Sequence, residues 1–319
     1  MNGQRAVAMS GERGVALIVV MLVLALLAVV VTESAFSARL EASMVRAYRD
    51  GMLARHLAEA GVHQGIREML SQAQIAAVDD EGRLAFYRVL PGQTTPTRLP
   101  ALPRTRVALG PGEFSYRITD EAGRLSLNGG DAARLDRLLE ALEVDRGQRE
   151  IITDSIQDWR DANEVHRANG AESEFYLRLP VPYRARNANI QDAAELLQIR
   201  GVTRELYAGA ADRPGLAELV TAVTGTTVNL NTAPAPVLKA FGLSDAEIAD
   251  VVRTRVRAPY PTVPTRFTGR ALTVGSSTFR IEAQGVVGGS HSRIVAVVRR
   301  GRPGVLNVTT ISWRPEGQQ

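Results

Sequence analysis

Hydrophobic and polar positions divide the chain into stretches of different period. From Val15 to Val31 all 17 positions are apolar, and the next charge is Glu33. At about 1.5 Å per residue such a helix reaches roughly 25 Å, just enough to cross the core of a bilayer. From Glu33 to Gln74 charges enter the pattern but no helix breaker does. Leu40, Met44, Ala47, Met52, Leu57, Ala60, His63, Ile66 and Leu70 fall at helical spacing, with Arg, Glu and Gln between them. The pattern predicts one helix of about 55–60 residues, apolar in its first third and amphipathic in the rest. Gly51, Gly61 and Gly65 weaken it by propensity, which packing can offset. Such a helix has its N-terminal part in lipid and its C-terminal part against a soluble domain.

Residues 75–112 read as loop, because prolines and glycines punctuate short apolar pieces. Phe114 to Ile118 alternates as a strand, Asp120–Arg124 reads as a turn, and Leu125 to Leu127 begins a second strand, so a hairpin is expected. From Asp131 to about Arg257 the period becomes helical. Asp131 can cap a helix bearing Leu135, Leu138, Leu139 and Leu142. Further helices are expected at Arg146–Trp159, 192–200, 215–224, Pro234–Phe241 and Asp245–Val256. From Leu272 the chain turns to strands again, two around Gly288-Gly289 and a last one at Val305–Trp313. Because β pieces flank the helical block, the economical reading is a helical domain inserted into a loop of a sheet.

The apolar run has Arg5 and Arg13 before it and both signs after it, which places residues 1–14 in the cytoplasm and the remainder outside. It exceeds the roughly 7–15 apolar residues of an ordinary cleaved signal. Hydropathy alone leaves a simple signal anchor open. Over 319 residues the aromatic share is only 5%, so the cores must be built from Leu, Val, Ile and Ala. The net charge of +4 is small for this length and scattered. No basic block interleaved with aromatics marks a nucleic-acid footprint. The absence of cysteine excludes disulfides, thiolate chemistry and Cys-ligated zinc.

The most unusual local sequence is DWRDANEVHRANGAESEFY at 158–176, which gathers Asp158, Asp161, Glu164, Glu172 and Glu174 around turn-forming Asn163, Asn169 and Gly170. Hard oxygen ligands on a loop suit Ca²⁺, which takes about 6–8 of them in flexible geometry. EF-hand spacing is absent, and a solvated acidic loop is the plainer alternative. His166 has no second histidine at zinc spacing. No nucleophile elbow, zincin motif or Walker loop is present. His56 and His63 share a helix face, which packing explains. VNLNTAPAPVLKAFGL at 228–243, with Asn231 or Thr232 as helix cap, resembles the start of a helix-hairpin-helix unit. It carries one glycine and no adjacent basic cluster.

Taken together these residues resemble a family. GERG followed by VALIVVMLVLALL looks like a type IV prepilin-like signal. LSLN at 125–128, IQDWRDANEVHRANGAESEFY at 156–176, PYRARNANIQDAAELLQIRGV at 182–202 and VNLNTAPAPVLKAF at 228–241 resemble the K-type minor pseudopilins of type II secretion systems. The resemblance implies an α+β fold: a pilin-like long N-terminal helix packed on an antiparallel β-sheet, with a large all-α domain inserted in the sheet. The expected divisions are a leader at 1–14, the helix at 15–75, pilin-like parts at 76–128 and 263–319, and the insertion at 129–262. It implies cleavage between Gly14 and Val15 by a prepilin peptidase, and methylation of the new amine. Val19 stands where most pilins place a glutamate that neutralises a neighbour's N-terminal amine, and K-type subunits characteristically lack it. Calcium in the inserted domain and I- and J-type minor pseudopilins as partners are further implications. The expected role is non-enzymatic: priming or capping a periplasmic pseudopilus, from a single-pass anchor in the inner membrane, with no nucleic-acid partner. The alternative is a minor pilin of a type IV pilus or DNA-uptake system.

Overall fold

The computed structural model describes residues 9–70, 74–223, 225–301 and 308–316. Uninterrupted periodicity produces an uninterrupted helix, α1, from Met9 to Leu70. Its residues 15–49 are exposed, and its last turns are not. Ala54, Leu57, Ala58, Val62 and Met69 pack into a core with strand residues Phe114, Ile118, Phe279, Ile281, Ile294 and Val298. The glycines that looked like weak points lie on this seam. A Cβ on Gly61 would sit 2.9 Å from the Ala283 Cβ, and one on Gly65 would sit 3.0 Å from Ile281 Cγ2. Their lost helix propensity is offset by the closeness with which helix and sheet can then meet.

Residues 75–112 are more ordered than their prolines suggested. β1 (Ile75–Val78) and β2 (Leu84–Arg88) form an antiparallel hairpin, and β3 (Thr97–Arg98) pairs with β2. β4 (Val107–Leu109) turns back on β5 (Gly112–Asp120). These strands bury short runs such as IAAV and LAFYR, which lack the clean alternation of a half-exposed strand.

The expected hairpin between 114–118 and 125–127 does not form. β5 pairs instead with the distant β12 (Thr278–Val287), Ile118 opposite Ile281. β6 (Leu125–Ser126) leaves the sheet and pairs in parallel with β9 (Val220–Thr221). Asp120–Gly123 resembles a hairpin turn locally, but Asp120 accepts from the Ala122 N–H and starts a 3₁₀ turn that carries the chain away. β12 and β13 (Ser290–Arg300) form the expected hairpin around Gly288-Gly289, and β14 (Val308–Glu316) completes the antiparallel order β14-β13-β12-β5-β4. The predicted start of the last strand, 305–307, lies outside the described residues.

Between β5 and β12 the regular elements are mostly helices, joined by irregular segments. α2 (Ala132–Ala141) is capped by Asp131 as expected, and α3 (Arg146–Arg160) by Asp145. Short helices follow: α4 (Ser173–Tyr176), α5 (Arg204–Ala208) and α6 (Leu216–Leu219). α7 (Ala235–Ala240) and α8 (Asp245–Arg257) flank Gly242. Asn231 and Thr232 do not cap α7. Asn231 exchanges hydrogen bonds with the Tyr260 backbone, and Thr232 donates to Asp120. Small strand pairs punctuate the block: β7 (Gly209–Ala210) with β8 (Arg213–Pro214), and β10 (Val228–Asn229) in parallel with β11 (Leu272–Thr273). Leu138, Leu139, Ile152, Trp159, Tyr176, Leu196, Leu238 and Val251 share a second core, separate from that of the sheet.

The two cores meet at a polar clasp. The buried Asp120 carboxylate accepts from Thr232 Oγ1 at 2.6 Å, Ser276 Oγ at 2.5 Å and Asn229 Nδ2 at 2.9 Å. Burial pushes its pKa up despite these donors. Glu121 is buried beside it, 2.7 Å from Arg280 Nε and 3.4 Å from Arg124 Nη1. Burial raises the Glu121 pKa, but the two guanidinium charges and the hydrogen bonds from Arg280 and Thr221 outweigh it and hold the group low.

Candidate membrane anchor and cation site

α1 is the helix among the described residues that is long and apolar enough to span a bilayer. Val15 and Val19 lie in its exposed part, and no acidic side chain occurs between Val15 and Thr32. Gly14 lies within the helix, whereas most of the expected leader, residues 1–8, is outside the described residues. Past the apolar run the exposed side chains Phe36, Leu40, Met44, Val45, Tyr48 and Met52 continue along the helix until the soluble core begins at Ala54. His56 faces outward beside Glu59, and the His63 ring lies 6.2 Å from Trp313 of β14.

The acidic loop begins at the last turn of α3. Asp158 is fully buried there, because α3 packs Ile152, Ile156 and Trp159 inward on the same side. The Arg167 guanidinium bridges Asp158 and Asp161, with Nη1 2.5 Å from Asp158 Oδ1 and 2.6 Å from Asp161 Oδ2. The Arg167 N–H also donates to Asp158 Oδ2 at 3.1 Å. A Cβ on Gly170 would overlap the Asp158 carboxylate, so the close return of the loop requires glycine there. Glu164 accepts from Ser173 Oγ at 2.9 Å and Asn187 Nδ2 at 3.0 Å.

Glu172 is different. It is 3% exposed, and neither carboxylate oxygen has a hydrogen-bond partner among the described residues. Burial, and then the charges of Asp158, Glu164 and Asp161, push its pKa up to about 7. Glu174 turns away, exposed and paired with Arg178. The loop therefore brings Asp158, Asp161, Glu164 and Glu172 into one electrostatic neighbourhood and leaves Glu174 outside. Among the described residues no three carboxylate or histidine side chains converge as a ready-made metal cluster. Arg167, which the sequence reading passed over, stands where a cation would neutralise Asp158 and Asp161. Its signal was available: it is the lone basic side chain between Glu164 and Glu174, apart from His166. The donor set is all oxygen and includes a buried unpaired carboxylate, which fits a hard cation such as Ca²⁺.

An aromatic platform supports the loop. Tyr176 stacks on Tyr183 with centroids 5.2 Å apart and meets the Trp159 edge at the same distance. Trp159 Nε1 donates to Glu195 Oε2 at 3.2 Å, tying α3 to the 3₁₀ segment Ala193–Gln198.

Residues 120–213, which hold the clasp carboxylates Asp120 and Glu121 and the acidic loop, match the family model described as type II secretion system (T2SS), protein K. The chain is 30% identical over 259 residues to the type II secretion system protein K of Pectobacterium carotovorum subsp. carotovorum, covering 74% of this chain and 72% of that one. It is 27% identical to the Pseudomonas aeruginosa protein of the same name, over 93% of this chain and 92% of the relative. The fold is similar to a chain in the crystal structure of the GspK-GspI-GspJ complex from the enterotoxigenic Escherichia coli type 2 secretion system. That similarity has a TM-score of 0.62 at 18% identity, over 86% of this chain and 99% of the other. With its membrane-length helix, its helix-on-sheet body and its helical insertion, this chain belongs to the type II secretion system protein K family.

Proposed function

We propose that the chain is the minor pseudopilin at the tip of a periplasmic pseudopilus, where it assembles with I- and J-type minor pseudopilins and initiates the filament. The observation that carries this reading is the exposed apolar surface of α1 from Val15 to Met52, joined to a body broadened by the insertion. An exposed apolar helix of this length needs lipid at one end and protein at the other. Val19 supports a terminal position. An unpaired charge in an apolar bundle is costly, and a subunit with none above it has no amine to neutralise. The neighbour named in a GspK-GspI-GspJ complex supports the choice of partners.

In this reading a prepilin peptidase cuts between Gly14 and Val15, the new amine is methylated, and α1 holds the body on the periplasmic side of the inner membrane. The role is structural and non-enzymatic. Ca²⁺ would be held by Asp158, Asp161, Glu164 and Glu172 after the Arg167 guanidinium gives way. It would supply the positive charge that Glu172 lacks. The test is genetic. Deleting the chain from its host should sharply reduce the number of pseudopili while leaving the level of the major pseudopilin unchanged. Unchanged pseudopilus number would overturn the initiating role.

A further inference from the structure

Three asparagines in the chain are followed by glycine: Asn2, Asn128 and Asn169. The first lies outside the described residues. In such a pair the glycine has no side chain to shield its backbone nitrogen, which can attack the asparagine side-chain carbonyl carbon. The backbone nitrogen gives up its proton, the side-chain nitrogen leaves as ammonia, and a succinimide ring closes. Water then opens the ring at either carbonyl. One opening gives aspartate, and the other gives isoaspartate, in which the main chain runs through the side-chain carbon. In a folded chain the reaction requires the side-chain carbonyl carbon to swing over the next nitrogen.

The structure treats the two described pairs differently. Asn128 is held at both ends of its amide. Its Nδ2 donates to the Ile190 carbonyl at 2.7 Å and the Ala222 carbonyl at 2.9 Å, and its Oδ1 accepts from the Ile190 N–H at 2.8 Å. The Gly129 N–H is engaged as well, with Ser126 Oγ at 3.0 Å. Asn169 is exposed, within a loop whose residues 162–169 are all exposed. Its backbone N–H donates to Asp154 Oδ2 at 3.0 Å, while its side chain makes one long contact, Nδ2 to the same oxygen at 3.4 Å. The Gly170 N–H donates to the Arg167 carbonyl at 3.1 Å, a turn bond that opens with the loop and not with the core.

We propose that Asn169 is a site of spontaneous deamidation, which adds one negative charge to the acidic loop, and that Asn128 is protected by its clamp. The isoaspartate product also lengthens the main chain by one carbon directly before Gly170. Gly170 already sits so close to Asp158 that a Cβ there would overlap the carboxylate. The longer chain cannot keep that approach, so the modified loop opens around Asp158. The inference is independent of the proposed place of the chain in a filament and of any bound cation.

The test incubates the full chain in detergent micelles with EDTA at mildly alkaline pH. Capped peptides spanning 124–132 and 165–173 set the unrestrained rate of each pair. Conversion is read by mass spectrometry of tryptic fragments, with electron-transfer fragmentation to identify isoaspartate. Relative to its own peptide, Asn169 should convert at least about tenfold faster than Asn128. In urea both should convert at the rates of their peptides. Aged wild type should then show faster amide exchange at Arg167, whose N–H donates to Asp158, while Asn169→Ser aged in the same way should not. Equal protection of the two asparagines in the folded chain would overturn the site. Persistence of Asn128 in urea would show that its clamp is not what protects it. Unchanged exchange at Arg167 in converted material would overturn the opening of the loop.

Discussion

Glu172→Gln isolates the carboxylate that the acidic loop leaves without a hydrogen bond. Its pKa is raised from 4.5 to about 7, first by burial and then by the charges of Asp158, Glu164 and Asp161. Between those values the folded chain keeps a proton that the unfolded chain has released. The contribution of Glu172 to stability is therefore fully present below about pH 4.5, is lost as the pH rises to about 7, and leaves the full penalty above it. At about 1.4 kcal/mol for each tenfold change in acidity the shift is worth roughly 3 kcal/mol. The loop lies close to the surface, and screening by solvent reduces the expected penalty to about 1–2 kcal/mol. For a body of this size that corresponds to about 3–6 °C in melting temperature. The assay is thermal melting of wild type and variant in EGTA at pH 5 and pH 8. Wild type should lose stability between the two relative to the variant, and the pH 5 comparison subtracts the cost of burying the amide. Added Ca²⁺ at pH 8 should then stabilise wild type and leave the variant nearly unmoved. Parallel curves at both pH values would refute the burial argument, and an equal response to Ca²⁺ would refute the assignment of Glu172 as a ligand.

Two further outcomes bear on the helix. A Cβ on Gly285 of β12 would overlap the Ala54 carbonyl oxygen of α1, which backbone cannot yield cheaply. Gly285→Ala should therefore cost about 3 kcal/mol or more and speed proteolysis of α1; a loss below about 0.5 kcal/mol would show that the seam is not tight. Gly14→Ala should leave the precursor at full size in a host with active prepilin peptidase while wild type is shortened, as read by gel mobility and mass spectrometry. A shortened mutant would move the cut elsewhere.

How much of this was legible in the sequence follows from the range of each signal. α1, α2, α3, α8 and the β12–β13 hairpin are local: period, cap and turn residue lie within one window, and the structure places each close to its expected bounds. The partner of β5 is not local. Nothing near Asp120–Arg124 distinguishes a hairpin turn from an exit into an insertion, because the deciding contacts, Thr232 and Ser276 on Asp120, lie 112 and 156 residues away. The same range hides the glycine seam: Gly61 and Gly65 count as weak helix formers until Ala283 and Ile281 are seen against them. In the acidic loop the sequence gathered five carboxylates but could not rank them. Burial does so, by enclosing Asp158 and Glu172 and leaving Glu174 in solvent beside Arg178.

Assembly with other minor pseudopilins is the central claim, and the mass of the mixture tests it most directly. The part from about residue 40 onward, which keeps the packed end of α1, is mixed with the soluble parts of I- and J-type subunits from the same organism. It is then measured by size-exclusion chromatography with light scattering. The account predicts one species with the summed mass of the three chains. Separate elution of this chain at its own mass, with the other two folded and present in excess, would contradict it.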